Sequence, residues 1–391
     1  MTHATRILFA DHTGALGGAQ LCLLDIAAAF RDRAGVALFE DGPFAKALVA
    51  EGVTVIPVAS GRALTSMKKG SRLPRPGAVA GTLRAAFSLA RVARAYDVLY
   101  TNSPKSFLVG ALAGLLARRP VIWHLHDILD GQHFSASNVR LLVATANARA
   151  VRVIANSHAT ADAFVRAGGR RDTIRVVYNG IDAAPFDDVA PDARSSVRRD
   201  LGIADDAFVV GSFSRLHPWK GQRVLLEALA TLPGAHALVV GGALFSGEAA
   251  YEEELRAAAG GPLLQGRVHV LGARDDIPRL LAACDVVAHT SIWPEPFGRV
   301  LVEALLARRP LVASDAGGVR EVVEDGVTGM LVPPADASRL ASAIQALRND
   351  PVRAAALAAA GSADMRRRFT REVMIDGVGS AIGEVLRRGR T

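Results

Sequence analysis

The sequence predicts an α/β protein of two open domains, each a doubly wound parallel sheet. Three observations carry that prediction. Short apolar runs alternate with segments of helical period. The alternation breaks once, over residues 182–199, and then restarts. The connectors are short, as in βαβ units. The 391 residues suffice for two domains with separate cores, and 50% hydrophobic with 21% charged residues excludes wholesale disorder.

Arg6–Ala10 is an apolar run suited to a buried parallel strand. Asp11–Gly18 is a glycine-bearing loop, and Ala19–Arg31 has helical spacing through Leu23, Ile26 and Phe30. The cycle continues with strands at Val36–Phe39, Val53–Val58, Val98–Tyr100, Val121–His124 and Arg152–Ala155. Helices are predicted between them at Ala45–Glu51, Ala78–Ala95, Ser106–Arg118, Val139–Ala150 and Thr160–Ala167. Asp182–Arg199 carries prolines and charges without a period, which reads as a linker near Ala183–Ala193. The second series of strands is Val209–Phe213, Ala237–Gly241, Val268–Leu271, Val286–His289 and Leu311–Ala313. Its helices are Gln222–Thr231, Tyr251–Ala259, Ile277–Ala283, Gly298–Ala307 and Ala337–Asn349. Arg366–Arg390 again has helical spacing, through Val373, Val378, Ile382 and Leu386. Ligands of such sheets bind at the carboxyl ends of the strands, where the chain order reverses.

The formal charge of +8 admits nucleic acid, an anionic surface or a phosphorylated small molecule as partner. Aromatic residues at 5%, dispersed arginines and the lack of a nucleic-acid motif argue against the first. Two cysteines, Cys22 and Cys284, make neither a disulfide scaffold nor a zinc site, and a reducing cytoplasm fits. The first ten residues do not read as a signal peptide, and apolar stretches of about 11 residues are too short to span a bilayer.

Trp293–Glu303 (WPEPFGRVLVE) follows a strand and opens a helix. Its two carboxylates, Glu295 and Glu303, could each accept a pair of sugar or ribose hydroxyls. The helix start at Gly298 offers backbone N–H groups and a positive dipole end for phosphate. The same spacing also suits a solvated helix with two surface glutamates. Gly211–Gly221 ends another strand and places Arg215 and Lys220 at a helix entry, where cations neutralise a diphosphate or simply face water.

Together, Arg215, Lys220 and the Glu295-x7-Glu303 motif resemble the retaining glycosyltransferases of the GT-B fold, the family-four class also called glycosyl transferases group 1. The resemblance spans nearly the whole chain. It implies an N-terminal acceptor-binding domain over 1–185, completed by a C-terminal helix at about 370–391, and a nucleotide-sugar-binding domain over 186–369, with a cleft between them. Arg215 and Lys220 would bind the diphosphate, and Glu295 the donor sugar. Backbone at Phe297 and Gly298 would touch sugar hydroxyls. Arg299 and Val300 would lie by the phosphates, Glu303 at the ribose, and Arg274 and Ile277 at the base. Gly17-Gly18 resembles the family's glycine pair, although the loop fails the dinucleotide fingerprint and a tight turn also accounts for it.

His126, followed by Asp127, resembles the family's active-site histidine; a core histidine is the other reading. His124 and His126 share a strand face, but no third ligand is near in sequence, so no metal site is expected. Asn156-Ser157 and Asn179–Asp182 also match the family and read as structural. No Asp-x-Asp occurs, which disfavours a metal clamp on the diphosphate; fixed cations and a helix dipole would take its place. No nucleophile elbow or P-loop occurs.

The resemblance implies retaining transfer from a nucleotide-diphosphate sugar, UDP-linked as in most of the family, to an unidentified hydroxyl acceptor, with no further cofactor. A phosphorylase or epimerase on the same fold, or a binding module without turnover, are the alternatives. The basic loop holding Lys68, Lys69, Arg72 and Arg75 reads either as a solvated loop or as a contact to acceptor or membrane surface. Localisation in the cytoplasm, with or without peripheral contact to its membrane, is expected.

Overall fold

The structure is a computed structural model that describes residues 5–59, 76–243 and 248–388. The chain divides into two compact units, Met1–Gly180 with Arg371–Thr391, and Ile181–Thr370. Lys68, Lys69, Arg72 and Arg75 lie outside the described residues.

In the first unit the strands and helices follow in order: β1 (Ile7–Asp11), α1 (Gly18–Ala29), β2 (Ala34–Leu38), α2 (Pro43–Ala50), β3 (Thr54–Pro57) and α3 (Pro76–Ala93). Then come β4 (Val98–Thr101), α4 (Pro104–Ala117), β5 (Val121–Leu125), α5 (Ala136–Arg149), β6 (Ala150–Ala155), α6 (His158–Arg166) and β7 (Ile174–Val176). All pairings are parallel, in the order β3-β2-β1-β4-β5-β6-β7. The order reverses between β1 and β4, which opens the sheet at the ends of β1, β4 and β5.

Both faces of this sheet are covered, so the strands are apolar throughout. On β5, Val121, Trp123 and Leu125 face one core, where Trp123 stacks on Phe107 at 4.3 Å between ring centroids. Period two turns Ile122 and His124 to the other face. There Ile122 packs among residues of α1 and of the C-terminal helix, including Cys22 and Met374.

The second unit holds α7 (Ala184–Asp187), α8 (Ala193–Asp200), β8 (Phe208–Phe213), α9 (Gln222–Ala230), β9 (Ala235–Val240), α10 (Ala249–Ala259), β10 (Val268–Gly272) and α11 (Ile277–Ala282). It continues with β11 (Val286–His289), α12 (Arg299–Leu306), β12 (Leu311–Ser314), α13 (Val319–Val322), β13 (Met330–Val332), α14 (Ala337–Asn349) and α15 (Pro351–Arg368). The sheet is again parallel, ordered β10-β9-β8-β11-β12-β13, with its reversal between β8 and β11.

Three expectations change. Residues 183–193 were expected as a linker, but α7 forms within them and α8 starts at their end, at Ala193. Helix α8 is held by Arg198, whose fully buried guanidinium donates to the carbonyls of Ala283, Asp205 and Ala207 and to Asp285 at 2.8 Å. The strands β7 and β13, three residues each, were missed because so short a run shows no period. The helix expected over 366–390 is two elements: α15 ends at Arg368, and α16 (Arg371–Arg388) belongs to the first unit. Val373, expected on its apolar face, is half exposed; Met374 is buried in its place, with Val378, Ile382 and Val385. Glu384 on α16 receives Arg152 at 2.9 Å and also pairs with Arg175.

Candidate active site

The second unit gathers its site from the loops after β8, β11 and β12. The chain leaves β8 through Ser214 and Arg215 and turns back at Gly221, whose φ of +68° suits glycine. A Cβ there would overlap the Thr290 carbonyl oxygen, so only glycine lets this loop meet the one after β11. Thr290 donates its hydroxyl to the Lys220 carbonyl at 2.9 Å, and the Ile292 N–H reaches the Trp219 carbonyl at 2.8 Å. Lys220 and Glu295 are thereby brought together across 75 positions of sequence.

Lys220 Nζ donates to both Glu295 oxygens, at 2.9 and 2.6 Å. The Ser291 hydroxyl donates to Glu295 Oε2 at 2.8 Å, and His289 Nε2 lies 3.1 Å from the same oxygen. Burial alone would raise the Glu295 carboxyl, but Lys220 and His289 outweigh it and hold it far below the ordinary range. Burial pushes the Lys220 ammonium below its ordinary value, although Glu295 pulls the other way. Glu295 is thus a buried, ionised carboxylate with its orientation set by three side chains. Its backbone is set too: Gly318 N–H donates to the Glu295 carbonyl at 2.7 Å, and Gly317 packs against the same peptide with φ of +68°.

Arg215 pairs with the largely buried Glu248 at 3.3 Å. Phe297 is buried and packs on Phe369, which leaves its backbone, not its ring, to meet a ligand. Gly298 caps α12 at φ of +87°; Arg299 and Val300 occupy its first turn. Arg299 Nε lies 3.7 Å from Glu303 Oε1, and burial raises the Glu303 carboxyl above its ordinary value. Trp219 carries Lys220 Nζ 4.0 Å above its ring and stacks beside Trp293. Arg274 is engaged with Asp276 at 2.8 and 2.7 Å, and Ile277 begins α11.

The first unit builds a second constellation at the ends of β1, β4 and β5. Gly17 caps α1 and Gly18 is its first residue; Gln20 turns back to accept from the Gly17 N–H at 3.2 Å. Asp11, fully buried at the end of β1, accepts from Gln20 Nε2 at 3.0 Å and from Asn102 Nδ2 at 2.7 Å. Burial would raise this carboxyl, but His12, Asn102 and Gln20 together lower it. The same Asn102 amide donates to the Ala19 carbonyl at 3.1 Å. Its oxygen is therefore the acceptor left for His126 Nε2, 2.9 Å away.

Sequence reading missed His289, Ser291, Glu248, Asp11, Asn102 and the Gly317-Gly318 pair. For Asp11, Asn102 and His289 the signal is a polar residue at the carboxyl end of an otherwise apolar strand. His124 and His126 were read as lacking a third metal ligand, yet Cys22 of α1 stands beside them: one ligand atom from each lies within 4.8 Å of the other two.

Known proteins share this architecture. The family described as Glycosyl transferases group 1 matches residues 193–364, and Glycosyltransferase Family 4 matches residues 43–184. HepE of Anabaena, solved with UDP-glucose, is 42% identical, with a TM-score of 0.89 over 97% of this chain and 100% of that one. D-inositol 3-phosphate glycosyltransferase of Stackebrandtia nassauensis is 29% identical over 96% of this chain and 88% of its own. A GDP-mannose-dependent monoacylated alpha-(1-6)-phosphatidylinositol monomannoside mannosyltransferase of Corynebacterium glutamicum is 33% identical over 54% of this chain and 56% of its own. Among the described residues, no helix is long and apolar enough to cross a membrane.

Proposed function

The chain belongs to the group 1 (family 4) glycosyltransferases, enzymes that use nucleotide-sugar donors, and from that premise we propose that it transfers glucose or a close hexose from a UDP-sugar with retention at the anomeric carbon. The observation that carries this reading is the fixed Glu295 carboxylate, clamped by Lys220, His289 and Ser291 just ahead of α12.

In this reading the second unit holds the donor. Glu295 accepts hydroxyls of the sugar, and the backbone of Phe297 and Gly298 meets others. Arg215, Lys220 and the amino end of α12 take the charge that develops on the departing diphosphate. Glu303 accepts the ribose hydroxyls, and Arg274 and Ile277 border the base. Lys220 serves two partners: it neutralises Glu295 at rest and shares its charge with the diphosphate when the donor is bound.

The first unit, in this reading, presents the acceptor. Gly17 and Gly18 would let backbone come close to it, and His126 would face it with its ring oriented by Asn102. Bond formation to the acceptor oxygen and cleavage of the bond to the diphosphate occur on one face of the sugar. The hydroxyl proton leaves with the phosphate.

UDP is favoured over GDP because the relative solved with UDP-glucose matches over nearly the whole of both chains, whereas the GDP-mannose-dependent one matches over about half. The test is a thermal-shift series with UDP-glucose, UDP-galactose, ADP-glucose and GDP-mannose. UDP-glucose is expected to raise the melting temperature most. A larger shift with GDP-mannose overturns the UDP assignment. An Arg215→Ala protein that keeps near-normal transfer overturns the donor site.

A further inference from the structure

The group of Cys22, His124 and His126 is not needed to explain the donor site, and its chemistry is that of a metal centre. His124 is almost completely buried, at 1% exposure, and so is Cys22, at 0%. The imidazole meets the Tyr100 hydroxyl through Nδ1 at 2.7 Å, while its Nε2 has no hydrogen-bond partner. A buried ring nitrogen left in that state is uncommon in a folded protein. The rings of His124 and His126 lie 3.9 Å apart between centroids, and Cys22 Sγ completes the triangle within 4.8 Å.

The surroundings match those of ligating histidines, whose second nitrogen is held by a hydrogen-bonding partner. Tyr100 holds His124 at Nδ1, and Asn102, itself bonded to Asp11, holds His126 at Nε2. The His124 Nε2 atom is left without a hydrogen bond and available to an ion. Cys22 Sγ is 3.3 Å from Asn179 Oδ1 and 3.4 Å from Met374 Sδ, which adds a thioether to the soft side of the group.

We propose that Cys22, His124 and His126 bind one thiophilic first-row cation, Zn²⁺ or Cu⁺, in the first unit. Thiolate and imidazole donors select such ions over Mg²⁺ or Ca²⁺. A tetrahedral zinc site places sulfur and nitrogen ligands about 3.5 Å apart, so closing on an ion takes side-chain movements of about 1 Å. Binding breaks the Cys22 S–H bond, forms a sulfur–metal bond and releases one proton to solvent; no redox change is involved. A bound ion would also withdraw His126 from the acceptor. That consequence alone rests on the function proposed above; the binding test does not.

The test uses the full chain, reduced and freed of metal with chelator, titrated with Co²⁺ as the spectroscopic stand-in for Zn²⁺. The expected result is one equivalent bound, with a near-ultraviolet thiolate-to-cobalt charge-transfer band. Cys22→Ser is expected to abolish the band, and Tyr100→Phe to weaken binding about tenfold or more. Thermal melts establish that both variants are folded. Displacement of Co²⁺ by Zn²⁺ identifies zinc as the ion, and displacement only by Cu⁺ identifies copper; either result carries the proposal. The absence of a charge-transfer band in the wild-type chain overturns it. So does a band that survives in Cys22→Ser, which would place the metal on the other thiol, Cys284.

Discussion

Lys220 and Glu295 show at the scale of single residues how the site is held. Both side chains are largely buried, so neither charge can be carried by water. Removing the cation leaves a buried carboxylate with only His289 and Ser291, a change that costs about 3 kcal/mol or more in comparable pairs. Lys220→Ala is therefore expected to lower the urea midpoint of unfolding clearly and to abolish the UDP-glucose thermal shift. Glu295→Gln keeps hydrogen-bonding capacity and is expected to cost less stability while losing the same shift. Equal urea midpoints for Lys220→Ala and wild type would show that the pair is not desolvated. Both residues stood out in the sequence because a cation and a carboxylate in strand-end loops carry obvious chemistry. Their pairing did not, since nothing local links positions 75 apart. His289 and Ser291 were hidden for another reason: an apolar strand pattern ending in a polar residue looks the same whether that residue ligates or caps.

At the scale of elements, the loops are placed by glycines as much as by side chains. Gly221 has positive φ, and a Cβ would strike the Thr290 carbonyl. Gly221→Ala is expected to cost about 2–3 kcal/mol, the sum of backbone strain and displacement of the β11 loop. Because that loop carries Glu295, donor affinity is expected to fall with it, measured by calorimetric titration of UDP-glucose. Unchanged affinity would mean the two loops are placed independently. Long elements with a clear period, such as α14, were read to the residue from sequence. Helix α8 was not, because its buried face is Ala193, Val197 and an arginine. A guanidinium bonded to four backbone carbonyls and a carboxylate behaves as core, whereas its charge makes it read as surface in the sequence.

At the scale of the whole molecule, the two units solve one problem in the same way. Each opens its sheet at a reversal of strand order, and each sets a buried, ionised carboxylate at that place: Asp11 as the last residue of β1, Glu295 beyond β11. Two doubly wound sheets were readable from the alternation of elements. This recurrence was not, because Asp11 ends β1 with no motif around it and reads from sequence as the first residue of a loop. It has a consequence for stability against acid. A carboxyl whose folded value lies below its unfolded one contributes stability above the unfolded value, near 4 for Asp and Glu. As pH falls through that value the unfolded chain takes up the proton first, and the contribution is lost down to the folded value. Asp11 and Glu295 are both lowered, so acid is expected to weaken both units in the range below about pH 4. Asp11→Asn and Glu295→Gln each remove one of these contributions. Each variant is expected to be less stable than wild type at pH 7 and to lose less further stability between pH 7 and pH 3, followed by urea unfolding at each pH. The double variant is expected to show the sum of the two changes, since the residues belong to separate cores. If the single variants lose as much stability in acid as wild type, other carboxylates govern the acid limb, and the pairing at the strand reversals serves ligand binding alone.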